Sequence, residues 1–165
     1  MRTNIRAYLV GLGAILALMA FMVTGGGVAR ADEVRWSNSY ARSVVYNNGM
    51  TVYSSGGCQD RSISTCTSLE QVHAHTINSL VTLKNSSGCS TLTITGGTEV
   101  GHASGTYSHY NGYKVDIRHV ACVDSYIKNT FSYIGLRGDG APQWKSAAGN
   151  IYADEGNHWD ILYYN

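Results

Sequence analysis

Apolar residues after Thr67 recur at the spacing of a helix. Thr67-Ser68-Leu69-Glu70 has the form of a capping box, and Ser87-Gly88 is a typical stop signal. The chain is therefore expected to be helical from Thr67 to Ser87. His73 and His75 would lie on different sides of this helix, and both are expected to be structural or solvated. The apolar positions that predict the helix are Leu69, Val72, Ile77, Leu80 and Leu83.

Shorter runs have the composition or the alternation of strands. β-Branched residues fill 91–95, and apolar and polar residues alternate over 113–118 and 157–164. A second helix is predicted over Val123–Phe131, begun by a polar cap near Cys122.

The remaining segments have weaker patterns. Residues 32–57 indicate one or two edge strands, with short apolar runs at Val44-Val45-Tyr46 and after the turn Asn47-Asn48-Gly49. Residues 135–149 indicate a Gly-rich loop that contains the single proline, Pro142. This order of elements predicts an α+β fold in which a small antiparallel sheet packs against helices.

The first 31 residues have the features of a secretory signal peptide. Arg2 and Arg6 precede the apolar run Ala7–Val23, and Ala29-Arg30-Ala31 is a small-x-small cleavage site. A retained membrane anchor is the alternative, because the apolar run approaches the length of a span. No cluster of stop-transfer charges follows it, so we expect a secreted domain, residues 32–165, with no membrane association after cleavage.

The charge of the chain is close to neutral. The 165 residues carry 12 Lys and Arg against 11 Asp and Glu, and cleavage after residue 31 would remove three arginines and no acid. The mature domain would then have a net charge of −2, which gives no indication of a nucleic-acid partner. We expect a monomer.

The four cysteines all lie in the predicted mature domain. An even number in an oxidising compartment predicts two disulfides, for which three pairings are possible. We favour Cys58–Cys66 and Cys89–Cys122, because the first closes a short Gly/Ser-rich loop. A cysteine-ligated zinc site is the rival interpretation, but no two cysteines have the Cys-x-x-Cys spacing.

Two histidine-containing tracts carry candidate chemistry. Asp116 and His158 each lie on the strand face opposite the apolar one. His109 precedes its strand, and the turn at Asn111-Gly112 can bring it back over the same place. Two histidines and an aspartate on converging elements would form a three-ligand zinc site with an open fourth position.

A catalytic zinc also needs a base for its water, and Glu155 lies three residues before His158. Asp160 is either an orienting residue for a ligand or an ordinary surface aspartate. Glu99-Val100-Gly101-His102 repeats the Glu-x-x-His spacing in a Gly-rich setting. We prefer the pair at 155 and 158 because it opens a well-patterned strand, and we expect His102 at most to line the site as a hydrogen-bond donor to substrate.

His-x6-Asp followed downstream by Glu-x-x-His resembles the zinc D-Ala-D-Ala carboxypeptidases, the D,D-dipeptidases and the phage L-alanyl-D-glutamate endolysins. These enzymes share a fold with the hedgehog signalling domain, and the resemblance covers about residues 66–165. It implies one zinc per chain with the ligands His109, Asp116 and His158, and Glu155 as catalytic base. Gly112 is also in register with the family pattern, whereas Lys114 stands where alanine is usual.

One departure concerns substrate binding. The family often carries an arginine after the strand that leads into the first motif, where it holds the substrate or the developing oxyanion. Residues 95–99 contain no arginine. Arg118, Arg137 and Lys145 are the candidates to replace it.

Three functions remain open at this point. The first is a secreted zinc metallopeptidase that cleaves amide bonds in cell-wall (peptidoglycan) peptides. The second is a zinc-stabilised binding domain without turnover, and the third is a Tyr/Gly-rich wall-binding module in which the histidines are incidental.

Overall fold

A seven-stranded sheet organises residues 34–164, the part of the chain that the computed structural model describes. The predicted signal peptide lies outside the described residues. The elements are, in chain order, β1 Arg35–Trp36, α1 Asn38–Asn47, β2 Thr51–Val52, β3 Val72–His73, α2 Ala74–Ser86, β4 Thr93–Gly96, β5 Lys114–Arg118, α3 Ala121–Thr130, β6 Ser132–Leu136, β7 Pro142–Lys145, β8 Ile151–Asp154 and β9 His158–Leu162.

The large sheet has the strand order β2-β4-β5-β9-β8-β7-β6, and β1 pairs with β3 in a separate two-stranded ribbon. The expected α+β class is confirmed. The sheet is larger than the small antiparallel sheet that was expected, since it has seven strands. Its pairings are antiparallel except that β2 runs parallel to β4.

The centre of the sheet has one apolar and one polar face. Val115 and Ile117 of β5 and Trp159 and Ile161 of β9 are fully buried in the same core as the apolar side chains of α2, such as Leu80. Because side chains alternate along a strand, the intervening residues of β5 and β9 project from the opposite face. That face carries the candidate chemistry.

The strand expected around Val44-Val45-Tyr46 is wrong, since these residues belong to α1. Ser37 caps the helix by accepting a hydrogen bond from the Tyr40 amide, and Ala41 and Val45, four residues apart, bury one helical face. The short apolar run at 44–46 indicated a strand, but the Ser37 cap and the burial of Ala41 and Val45 stabilise a helix here.

The predicted start of α2 at Thr67 is also wrong, because the helix begins at Ala74. The Thr67 hydroxyl donates to the Thr95 carbonyl at 3.1 Å, and the Glu70 carboxylate accepts from the Asn38 amide at 2.7 Å. The capping residues therefore serve other parts of the fold, and Glu70 stabilises the first turn of α1.

The two histidines expected on one helix lie on different elements. His73 ends β3 and His75 lies in the first turn of α2, and both are buried with their rings 4.2 and 5.6 Å from the Tyr113 ring. The expectation that they are structural agrees with this burial.

The prediction of a Gly-rich loop over 135–149 is wrong, because most of these residues lie in the β6–β7 hairpin and its flanks. The Arg137 amide donates to the Ala141 carbonyl at 2.8 Å and closes the turn. Pro142 is the first residue of β7, a position where a strand tolerates proline. α3 begins at Ala121 after Val120, which makes no side-chain cap, so the predicted polar cap is also wrong.

Two disulfides connect Cys58 to Cys66 and Cys89 to Cys122, the pairs favoured from the sequence. The second joins the segment that follows α2 to the first turn of α3. None of the helices in residues 34–164 has the length and apolar character to cross a membrane.

Candidate metal centre

The polar face of β5 and β9 brings the predicted site residues together. In the antiparallel register Asp116 lies opposite Asp160, and Arg118 lies opposite His158. Asp116 and Asp160 are only 6 and 7% exposed, although they lie on the face away from the main core. The surrounding loops therefore cover this part of the sheet.

His109 reaches the sheet from the loop before β5, as the sequence led us to expect. The Gly112 amide donates to the His109 carbonyl at 2.8 Å and closes a tight turn. Gly112 has φ +80°, and an added Cβ would lie 2.5 Å from the Gln71 carbonyl oxygen, so only glycine fits. The turn places His109 Nε2 3.2 Å from Asp116 Oδ1.

The tautomer of His109 follows from its outer hydrogen bond. Nδ1 lies 2.8 Å from the Gly97 carbonyl oxygen, which can only accept, so Nδ1 carries the proton. The lone pair of neutral His109 is then on Nε2, the atom that faces Asp116. Such an outer hydrogen bond to a carbonyl is the usual way in which proteins orient a metal-binding histidine.

His158 approaches the same carboxylate from β9. Its Nε2 atom lies 3.7 Å from Asp116 Oδ1 and 3.2 Å from Glu155 Oε2, while Nδ1 is next to the Asn157 side-chain oxygen. His109 Nε2 and His158 Nε2 therefore both lie within 4 Å of Asp116 Oδ1. Among residues 34–164, however, the group of three ligand atoms that all lie within 4.8 Å of one another contains His102 and not the predicted ligand His158.

The centre contains buried carboxylates, and not all of their oxygens accept a hydrogen bond from the described residues. Asp116 Oδ1 and Asp160 Oδ1 are buried, and neither accepts a hydrogen bond of normal geometry from the described part of the chain. Burial disfavours the charged form of His109, but Asp116 and Asp160 outweigh it and raise the pKa of His109 to about 10. Burial likewise opposes the ionisation of Asp160, yet His109 and Lys114 hold its pKa well below the usual range.

Asp160 is a buried part of the centre and not a surface aspartate. Its Oδ1 atom lies 3.5 Å from His109 Nε2, and its Oδ2 atom accepts from Lys114 Nζ and from Arg137, each at 2.7 Å. Arg137 also contacts Glu155 and the exposed Asp139. The sequence did not predict that Arg137 contacts Glu155 or that Asp160 contacts two cations. Glu155 and Asp160 lie 18 and 23 residues from Arg137 in the chain, so no local pattern connects them.

His102 also belongs to the centre. His102, His109 and Asp116 offer ligand atoms that all lie within 4.8 Å of one another, a grouping that could hold a metal ion. His102 is held by Glu99, whose Oε1 lies 3.1 Å from Nε2. Burial opposes ionisation of Glu99, but hydrogen bonds from His102 and the Ser68 and Gly97 amides lower its pKa.

The orientation of the two rings distinguishes their roles. The His102 and His109 rings stack with centroids 3.8 Å apart and an interplanar angle of 16°. An imidazole lone pair lies in the plane of its ring, so two stacked rings direct their lone pairs along separate parallel planes. One ion would not lie in both planes, and the outward hydrogen bond of His109 to Gly97 and its approach to Asp116 favour His109 as the ligand.

His119 lies outside this centre. Its Nδ1 atom is 2.9 Å from Asp124, and its Nε2 atom is 3.3 Å from Asp154. These two contacts are those of a structural residue.

The centre opens into a cavity of about 420 Å³ that reaches Glu155, Arg137 and His158.

Comparison with protein-family models, curated proteins and solved structures gives no match. Any proposal of function therefore rests on the geometry of the site.

Proposed function

We propose that this protein is a secreted zinc metallopeptidase that hydrolyses amide bonds in cell-wall peptides, in the manner of the D-Ala-D-Ala carboxypeptidases and with their hedgehog-like fold. One observation carries the proposal. His109 Nε2 and His158 Nε2 both lie within 4 Å of a single buried oxygen, Asp116 Oδ1. The two disulfides agree with an oxidising, extracellular location.

The donor set fits zinc. Zinc is commonly bound in catalytic sites by three histidine or carboxylate ligands, and nitrogen and oxygen donors of this kind suit it. Asp116 Oδ1 is buried and accepts no hydrogen bond of normal geometry from residues 34–164, and the cation beside it is the protonated His109 ring, with Nε2 at 3.2 Å. A zinc ion would replace the Nε2 proton, because a histidine ligand must be deprotonated at the atom that binds the metal. His109, Asp116 and His158 would hold the ion.

When bound, zinc supplies Lewis acidity, which lowers the pKa of a water molecule to about 7 and polarises the scissile carbonyl. Glu155 is the group that moves the proton. Its Oε1 atom contacts Arg137, and its Oε2 atom faces the cavity beside His158. Oε2 would take a proton from the attacking water and transfer it to the nitrogen of the departing amine.

Glu99 is a poor alternative for this role. Both of its oxygens already accept hydrogen bonds, from the Gly97 and Ser68 amides and from His102, and the residue is 2% exposed. Glu155 is exposed to solvent and borders the cavity. The contacts therefore support Glu155 as the base and Glu99 as the residue that positions His102.

The direct test combines zinc analysis of the mature protein with digestion of purified peptidoglycan, and the products are identified by mass spectrometry. Stoichiometric zinc and new amine termini in the stem peptides are expected. Glu155→Gln should retain zinc and folding but lose about 10²–10⁴ in hydrolysis rate, the usual contribution of a general base. Asp60→Asn, which makes the same chemical change in an exposed loop, is the matched control.

Two results would contradict the proposal. A zinc-loaded wild type that cleaves no wall peptide would favour the zinc-stabilised binding domain instead. Full activity in Glu155→Gln would place the base elsewhere, and Glu99→Gln would be the next variant to measure.

A further inference from the structure

A second cleft lies on the helical side of the sheet, away from the metal centre. It is enclosed by α2, α3, β8 and the connection between β7 and β8. Its volume is about 430 Å³, against about 420 Å³ for the cavity at the metal centre, and the two share no lining residue. Volumes of this size are typical of sites that bind small molecules. The proposed hydrolysis uses no part of this cleft, which leaves it available for another ligand.

Three aromatic rings form one wall of the cleft. Tyr126 of α3 meets Phe131 edge-on with ring centres 5.5 Å apart, and Phe131 packs at 4.7 Å against Tyr152 of β8. Tyr152 is only 3% exposed and belongs to the main core, while Tyr126 and Phe131 are half-buried against that core. The core therefore holds the rings in place, and two of them remain accessible to a ligand.

Neutral polar side chains supply most of the remaining lining. Ser79, Thr82 and Ser86 belong to α2, where their spacing of three and four residues places them on one face. Ser146 and Asn150 come from the connection between β7 and β8, where Ser146 Oγ accepts from the Asn150 amide at 3.2 Å. Hydroxyl and amide groups both donate and accept hydrogen bonds, so the cleft offers both kinds of partner without a charge.

The lining disfavours several classes of ligand. No residue of 34–164 that lines the cleft is charged, so a phosphate, a carboxylate or an ammonium group would leave water without an ionic partner. An acyl chain would cover the half-buried Ser79 hydroxyl, which makes no hydrogen bond to the other described residues. A neutral sugar avoids both costs, because its C–H face packs against an aromatic ring and its hydroxyls exchange hydrogen bonds with serine, threonine and asparagine.

We propose that this cleft binds a neutral sugar unit of a glycan. The proposal does not depend on the proposed function, because the cleft shares no residue with the metal centre. The sheet separates the two sites, so a glycan could stay bound here while a peptide reaches the metal. The sugar is either a plain hexose or a hexose with an acetamido group, and both present a C–H face and neutral hydroxyls.

Binding of two tetrasaccharides tests the cleft and distinguishes these sources. The isotope-labelled mature protein would be titrated with N-acetylated chitotetraose and with cellotetraose, and its amide NMR signals would be followed. The largest shifts are expected in α2, in α3 and at residues 146–150. Binding of chitotetraose alone identifies the acetamido sugar, binding of cellotetraose alone identifies the plain hexose, and equal affinity for both means that the shared ring is recognised.

Two variants examine how the sugar is held. Phe131→Leu keeps an apolar side chain but removes a ring, and it should weaken the preferred tetrasaccharide about three- to tenfold. Ala148→Arg places a long side chain at the exposed rim of the cleft and should abolish the shifts. Ala121→Arg, the same change at an exposed position of α3 outside the cleft, is the matched control and should bind as the wild type does.

The sugar site is refuted if neither tetrasaccharide binds, if the shifts lie at the metal centre instead, or if Ala148→Arg binds as tightly as Ala121→Arg. Unchanged affinity in Phe131→Leu would refute the role of the aromatic wall. Zinc content and peptidoglycan digestion test the proposed function separately. Sugar binding by a protein that cleaves no wall peptide would refute the function and keep the sugar site, and cleavage without sugar binding would do the reverse.

Discussion

Gly96 lies opposite Asp116 in the sheet, and a Cβ added at Gly96 would come within 2.2 Å of Asp116 Oδ2. Because Gly96 has no side chain, the Asp116 carboxylate can occupy this position beside β4. The same strand end continues into Gly97, whose carbonyl orients His109. Two adjacent glycines thus place two of the proposed ligands.

Gly96→Ala should displace the Asp116 side chain and weaken zinc binding by about 10–100-fold, the range found when the support of a ligand is disturbed. The fold should survive, because the atoms in conflict belong mainly to the end of one side chain. Competition with a chromophoric chelator measures the zinc affinity, and thermal unfolding of the metal-free protein measures the fold.

Gly97→Ala provides the contrast. A Cβ there would lie 2.0 Å from the Ser68 carbonyl oxygen, which is backbone and has little freedom to move. This variant should lose about 1–3 kcal/mol or more of the free energy of unfolding.

Unchanged zinc affinity in Gly96→Ala would show that Asp116 is not a ligand or that its position does not depend on Gly96.

Zinc content should distinguish four of the six histidines by their roles. His109→Ala and His158→Ala should lose stoichiometric zinc, because both remove a nitrogen that faces Asp116 Oδ1. His102→Ala should retain it, since the stacked ring does not share a metal position with His109. His119→Ala, outside the centre, should also retain it. Zinc per chain after dialysis is the measurement, and loss of zinc in His102→Ala would overturn the assignment from ring stacking.

The sequence predicted the central strands well because their pattern is set by burial on one face. Val115, Ile117 and Ile161 alternate with polar residues and lie in the core. The capping-box motif failed because its carboxylate, on Glu70, caps α1, whose first residue precedes it by 32 positions. No local pattern contains the partner of such a contact.

The same distinction applies to the site. His109, Asp116 and His158 could be named because their motif has fixed spacings and each lies beside a patterned strand. The links of Glu99 to His102 and of Arg137 to Glu155 and Asp160 come from packing of loops and hairpins. The sequence shows which polar side chains the chain contains, but the fold determines which of them contact one another.

The two disulfides should differ in their contribution to stability. Cys89–Cys122 closes a segment with a sequence separation of 33, against 8 for Cys58–Cys66. Loop-closure entropy alone predicts losses of about 3.7 and about 2.5 kcal/mol in the free energy of unfolding when each pair is replaced by serine. Denaturant unfolding of the two double variants tests this order. A larger loss for the Cys58–Cys66 pair would show that strain or native contacts outweigh chain entropy.

Alkaline pH should destabilise the fold through two buried tyrosines. Burial raises the pKa of Tyr152 to about 12 and that of Tyr163 well above its usual value. Below pH 10 both the folded and the unfolded chain keep these protons, so the contribution is constant. Above pH 10 the unfolded chain ionises first, and the free energy of unfolding falls by up to about 1.4 kcal/mol per pH unit for each residue. Tyr152→Phe and Tyr163→Phe should each reduce this slope in urea unfolding between pH 9 and about 11.5, whereas Tyr40→Phe, at a position 54% exposed, should not. Equal slopes in all three variants and the wild type would mean that other groups control alkaline unfolding.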